Sequence, residues 1–341
     1  MTIKNLIPVL AILFIANNSF AMDIAPYKPG QKLDNKQAKD LQQRYNQRKK
    51  QAWKAPGAVD SYARHKNAEL IKYGIQLHDK TVSTIGPDVA DTSKRYSGNS
   101  LNCSSCHLKG ATQLPGTKFD AIPFTNVSND YPKFRSRNMS ISSLSDRVNG
   151  CMTHSMGNNG KAIPVKSKEM QAMLAYYDWL AEGTEKGLAM QGTGLPKIAF
   201  PDRKADIAAG QKSYQQFCIA CHAQNGQGTK APDYAKTGVY TFPPLAGKDS
   251  FDNGAGMSRL KTATKFIHAN MPLGASSKTP TLTIDQAYDV AAYVLSLARE
   301  NKMGRDKDFP NANFRPDDYP VPEYFNGDKD ALEKTRLGPY K

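Results

Sequence analysis

Acidic side chains, cysteines and long apolar runs are all scarce in this chain of 341 residues. Asp and Glu number 31 against 46 Lys and Arg, a formal charge of +15. The shortage of negative charge leaves anions and acidic partners as the species this protein attracts. Past residue 21 no apolar run approaches the ~20 residues that a membrane-spanning helix requires, which excludes a span in the mature chain. Only five cysteines serve the whole chain, too few for two zinc sites of four thiolates each.

Four of those cysteines sit in two copies of one pattern. Cys103-Ser104-Ser105-Cys106-His107 and Cys218-Ile219-Ala220-Cys221-His222 both read Cys-x-x-Cys-His, the attachment signature of c-type haem. Two sulfurs add to the haem vinyl groups, and the following imidazole becomes the proximal iron ligand. Two covalently bound haem c groups are expected, on Cys103 and Cys106 and on Cys218 and Cys221, with iron on His107 and His222. Fixing all of these residue types twice leaves chance a poor explanation. Cys151 has no place in either motif.

Residues 1–21 read as a cleaved signal peptide. Lys4 supplies the positive charge, Leu6 to Ala16 the apolar core, and Ser19-Phe20-Ala21 a small-residue cleavage site. Covalent haem attachment in bacteria takes place outside the cytoplasm, so the expected location is the periplasm. Export also argues against nucleic acid as the partner of the basic charge.

Behind a polar, basic extension (22–60), with a helical-looking stretch from Gln37 to Trp53, one plan occurs twice. In the second copy a helix carrying Gly210 and Tyr214 leads into the haem motif, and a closing helix runs from Thr283 to Glu300. In the first copy the leading segment carries Gly74, and the closing helix runs from Ser167 to Glu182. The closing helices align Tyr176 with Tyr293 and Leu180 with Leu297 at helical spacing. The expectation is an all-α protein: two class I cytochrome c-like domains in tandem, 61–190 and 203–300. Gly192, Gly194, Pro196 and Pro201 mark the linker between them. The last segment, 301–341, is rich in proline and expected to be an extended tail lying back across a domain. His65 and His78 read as surface groups, and His268 as a neighbour of a haem propionate or of solvent.

The sixth iron ligand separates an electron carrier from an enzyme. The second domain offers Met271, stiffened by Pro272, or Met257 in a glycine-rich turn; Met271 is the better candidate. A His/Met iron has a relatively high potential and suits onward electron transfer. In the first domain Met139, Cys151, Met152, His154, Met156 and Met170 all compete. Cys151 stands out, because an odd thiol in an exported protein is a hazard unless something such as iron ligation protects it. An inert buried thiol is the plain alternative.

The surroundings of Cys151 carry a resemblance. The run Asp146-Arg147-Val148-Asn149-Gly150-Cys151, continuing through Ser155 to Gly160-Lys161-Ala162, is similar to the thiosulfate dehydrogenase family of dihaem cytochromes c. So are the residues from Tyr96 to Leu108 and, in the second half, Pro243-Pro244-Leu245, Asp249-Ser250-Phe251 and Asn270-Met271-Pro272. The resemblance spans roughly residues 60–300. It implies a reaction: two thiosulfate ions couple through their outer sulfurs to tetrathionate, and some members run well in reverse. It further implies a catalytic haem held by His107 and Cys151 and a relay haem held by His222 and Met271. Electrons would pass from the first to the second and on to an external acceptor such as a small cytochrome c. Arg137, Arg147 and Ser155 match the family's catalytic positions, and arginine suits sulfonate-like oxygens through its planar fork of donors. If the segment is helical, Arg147, Cys151 and Ser155 share one face. Cys151 either leaves the iron to take up a thiosulfate sulfur or stays bound while both substrates assemble above it. The simpler competing reading is a dihaem carrier without a substrate of its own. Further alternatives are a dihaem peroxidase, with His154 as its acid/base group, and a cytochrome acting on a protein-bound persulfide.

Overall fold

A computed structural model describes residues 27–57, 60–157 and 161–340; the expected signal peptide lies outside them. The chain runs α1 (Asn35–Asn46), β1 (Lys50–Gln51), α2 (Ala68–Asp79), α3 (Thr81–Ile85), α4 (Val127–Asp130), β2 (Lys133–Arg135), β3 (Ser140–Ser142), α5 (Leu144–His154), α6 (Lys168–Leu180) and β4 (Ala189–Met190). The second half continues with α7 (Ile207–Phe217), α8 (Ile219–His222), β5 (Thr229–Lys230), α9 (Tyr234–Thr237), β6 (Tyr240–Phe242), α10 (Leu260–Asn270), α11 (Ile284–Ser296) and α12 (Lys329–Leu337). Among the described residues strands form only two-stranded pairs, so helices carry the architecture.

Each half is organised around a crossing of its leading and closing helices. In the first, α2 lies on α6 at Gly74, where a Cβ would overlap the Ala172 carbonyl and stand 2.7 Å from Tyr176 Cβ. In the second, α7 lies on α11 at Gly210, where a Cβ would overlap the Asp289 carbonyl. Glycine is what lets the two backbones touch at both crossings. The aligned Tyr176 and Tyr293 are buried, in equivalent places. Both closing helices start at hydroxyl caps, Ser167 accepting from the Met170 amide and Thr283 from that of Gln286. Helix α11 stops at Ser296, short of the expected Glu300, because Leu297 turns extended and the Ala298 carbonyl takes the Gly247 amide instead.

The halves are packed into one body. Phe251 and Ala255 of the second half join the core built by Ile71, Leu77, Met173 and Tyr176 of the first. Polar ties reinforce the contact: Asn99 Nδ2 donates to the Ser250 carbonyl at 3.1 Å, and Asn270 Nδ2 to the Asp120 carbonyl at 3.1 Å.

Expectations for the extension, the tail and one histidine are corrected. The helix of the extension ends at Asn46 rather than Trp53, because Arg48 leaves it to pair with Asp130 at 2.7 Å and Lys50–Gln51 then pairs with β4. The extension is also firmly seated, with Ala38 and Leu41 buried against Met139, Ile141 and Phe314. The tail is not simply extended: Asp328 caps α12, and the Tyr288 hydroxyl donates to the Leu337 carbonyl at 2.8 Å. His78 is buried, not a surface group; its Nδ1 lies 2.6 Å from the Gly74 carbonyl and its Nε2 2.7 Å from the Tyr177 hydroxyl.

Candidate active site and haem-binding residues

Helix α5 organises the first candidate site. Ser143 and Asp146 form a reciprocal capping box at its start, which occupies the Asp146 carboxylate and leaves Arg147 without it. One turn apart on the helix, Arg147 Nη1 donates to Cys151 Sγ at 2.8 Å. Burial raises the Cys151 thiol pKa, but the Arg147 guanidinium, the His107 imidazole and Arg135 outweigh it and bring it down to about 6. Cys151 in turn holds the Arg147 pKa above its usual range. Ser155 caps the helix end, its amide donating to the Cys151 carbonyl at 2.8 Å. Its hydroxyl has no hydrogen bond among the described residues and faces the cavity beside α5.

That cavity, about 610 Å³, has a basic wall that includes Lys133, Arg135, Arg137, Arg147 and Arg259. Arg137 reaches it from just beyond β2 but is already engaged. Its Nη1 pairs with the Asp308 carboxylate and lies 3.3 Å from the Tyr319 hydroxyl, both residues of the tail. His154 Nε2 approaches the other Asp308 oxygen at 3.2 Å. Lys133 and Arg135 were not among the expected residues, although Lys133, Arg135 and Arg137 alternate at strand spacing in the sequence.

The residues fit a c-type haem. His107 Nδ1 lies 2.6 Å from the Ile122 carbonyl and His222 Nδ1 2.9 Å from the Pro243 carbonyl. A proton fixed on Nδ1 by a carbonyl leaves the Nε2 lone pair for iron. None of the five cysteines is tied up in a disulfide, so the four of the two motifs are available for thioether bonds to haem. Of the other first-domain candidates, Met152, Met156 and Met170 are buried in the core and Met139 against α1. In the second half Met271 ends α10, half-buried, whereas Met257 packs against the cores of both halves. His268 Nδ1 is taken by the Leu282 carbonyl at 3.0 Å.

Two crossed-helix domains, each with a haem-attachment motif and an imidazole oriented in this way, define a dihaem c-type cytochrome. Residues 207–298 match the model of the cytochrome c family, and residues 91–185 that of the SoxA/TsdA cytochrome c domain. Thiosulfate dehydrogenase of Psychrobacter arcticus is 33% identical over 243 residues, which cover 71% of this chain and 67% of the relative. That of Stutzerimonas stutzeri is 37% identical over 250 residues, covering 72% and 69%. Among solved structures, the thiosulfate dehydrogenase TsdBA of Marichromatium purpuratum superposes with a TM-score of 0.62 at 32% identity. The match covers 71% of this chain and 48% of that one, so this protein spans about half the length of the TsdBA chain. The chain belongs to the thiosulfate dehydrogenase family, and its two cytochrome c domains carry covalently bound haem c. Among the described residues no helix is long and apolar enough to cross a membrane.

Proposed function

We propose that this protein is a periplasmic thiosulfate dehydrogenase, joining two thiosulfate ions to tetrathionate and delivering two electrons to an external acceptor, a small cytochrome c. One bond forms, between the outer sulfurs. Two electrons leave, and no proton is required. The observation that carries the reading is the 2.8 Å contact from Arg147 to Cys151 at the edge of a basic cavity. A carrier without a substrate has no use for a charge-stabilised thiol beside such a cavity.

In this reading Cys103 and Cys106 bind the first haem and Cys218 and Cys221 the second. His107 and Cys151 would hold one iron, and His222 and Met271 the other. Bound haem supplies two one-electron stores, matching the two electrons released. Arg147 holds the Cys151 sulfur and presents its remaining N–H groups to a sulfonate oxygen. Arg137, fixed by Asp308, offers a second oriented guanidinium, and the unengaged Ser155 hydroxyl donates to another oxygen. Guanidinium and hydroxyl groups keep their donors throughout, so none of these three residues gains or loses a proton when the dianions bind.

The test is thiosulfate-dependent reduction of ferricyanide by the purified holoprotein, together with oxidation of its reduced form by tetrathionate. Activity in either direction is expected. A protein inert to both ions is a carrier instead. Cys151→Gly is expected to retain both haems, by mass and by the pyridine haemochrome spectrum, and to lose turnover by at least about 100-fold. Wild-type rates in that variant would remove Cys151 from the mechanism.

A further inference from the structure

We propose that Lys133 and Arg135 form a second anion subsite, which takes the sulfonate end of the second thiosulfate and, in reverse, the far end of tetrathionate. This rests on the function proposed above and extends it to residues outside the Arg147, Cys151 and Ser155 group.

The geometry begins with alternation. Residues Lys133 and Arg135 lie on β2, with Arg137 next in the alternation just beyond it, and all three line the one cavity that Arg147 and Ser155 also reach. Strand β2 is held by antiparallel pairing with β3, Lys133 opposite Ser142 and Arg135 opposite Ser140, and α1 packs beside it. The cations therefore stand on a braced hairpin rather than a free loop.

Of the five cations named on this wall, three are already committed: Arg147 to Cys151, Arg137 to Asp308 and Arg259 to Asp318. Neither Lys133 nor Arg135 forms an ion pair among the described residues. The polar contact of Arg135 is a long one, 3.5 Å to the Tyr131 hydroxyl. Lys133 lies with Nζ 3.3 Å from the centre of the Tyr45 ring. The carboxylate that would naturally neutralise it, Asp130, is occupied by Arg48 at 2.7 Å and by the Tyr45 hydroxyl at 3.0 Å. A cation drawn out of water without a counter-ion is costly, and here two half-buried cations stand together while Asp130 serves another partner. A cavity that must admit two dianions gives that arrangement a purpose: the counter-ion arrives with the substrate.

The electrostatics agree. Burial lowers the pKa of both groups, and for Lys133, with Arg135, Arg48 and Arg147 repelling and Asp130 opposing them, it comes down to about 7. The protonated lysine binds the anion, so affinity is full below neutrality and declines as pH rises past that value. Tyr45 does not intervene, since burial and Asp130 keep its hydroxyl protonated far above this range.

The experiment compares wild-type holoprotein with Lys133→Met, Arg135→Gln and the charge-conserving Lys133→Arg. Steady-state rates are measured against thiosulfate, and calorimetric binding of tetrathionate is measured on the oxidised protein, where no electrons are available. Loss of one charged hydrogen bond should raise half-saturating thiosulfate and weaken tetrathionate binding about 10-fold or more in Lys133→Met and Arg135→Gln, with kcat within about 3-fold of wild type in Lys133→Met. Lys133→Arg should restore both and abolish the rise of half-saturation above neutral pH. Unchanged binding in both neutral variants, with haems retained, overturns the subsite while leaving the proposed function intact. Collapse of kcat with unchanged half-saturation also overturns it. A wild-type protein that neither oxidises thiosulfate nor binds tetrathionate overturns both proposals.

Discussion

Asp308 shows how much one residue can do from a distance. It lies 171 residues from Arg137 in sequence, yet its carboxylate holds that guanidinium, faces His154 and accepts the Tyr319 hydroxyl at 2.6 Å. Burial pushes its pKa up, but the bonds from His154 and Tyr319 and the charge of Arg137 win, holding it below the usual range. Asp308→Asn leaves Arg137 partly buried without its counter-charge. Breaking one side of such a pair should lower stability by about 2–3 kcal/mol in urea unfolding. The freed Arg137 should also bind anion more strongly, so half-saturating thiosulfate should fall while kcat declines. An unchanged half-saturation would mean Arg137 does not meet substrate. None of this was legible beforehand, because a tail of prolines and aspartates gives no periodicity to say where it returns. Arg147 and Cys151 were legible, since four residues apart on a helix places them together whatever the tertiary fold. His78 was misjudged for the opposite reason: Asp79 and Lys80 beside it advertise solvent, while the residue it serves, Tyr177, comes from another helix.

At the scale of elements, the two helix crossings were the most readable feature and the most constrained. Gly74 and Gly210 stand at matching places in the two leading helices, and both lie where another backbone passes. Gly210→Ala should drive a methyl into the Asp289 carbonyl and separate α7 from α11, costing about 1–3 kcal/mol despite the better helix propensity of alanine. Thermal unfolding of the holoprotein would check this; an increase in stability would mean the crossing is looser than drawn here. The closing helices were legible through their period and their Ser167 and Thr283 caps. The hairpin of β2 and β3 was not, because three-residue strands are too short for alternation to separate from chance. Its Lys133, Arg135 and Arg137 spacing became meaningful only once the extension helix was seen packed beside it.

Across the whole molecule, extension and tail wrap the first domain and complete the walls of its cavity, and that closure brings ionisable groups inside. Two of them should set the response of stability to acid, in opposite directions. Burial takes His78 down to about 4, the Gly74 carbonyl opposing and His107 assisting; Tyr176 and Tyr177 pack against it without titrating. Between that value and the ordinary 6.5 the unfolded chain binds a proton that the native state refuses. Stability is therefore lost as pH falls through this window, by about 3 kcal/mol in full. Asp252 is the reverse case. Burial raises it to about 6, while the Gly254 and Ala255 amides and the charges of Lys302 and Arg137 pull the other way. Between the ordinary 3.8 and that value the native state binds the extra proton, so stability is gained as pH falls, again by about 3 kcal/mol. The two slopes oppose each other from about pH 6 to pH 4.5, so in the wild-type protein each masks much of the other. Asp252→Asn should uncover the histidine slope and lose stability steadily across that interval. His78→Gln should uncover the carboxylate slope and gain. Urea midpoints at a series of pH values would read both, and parallel curves for the three proteins would mean that neither group is buried as described.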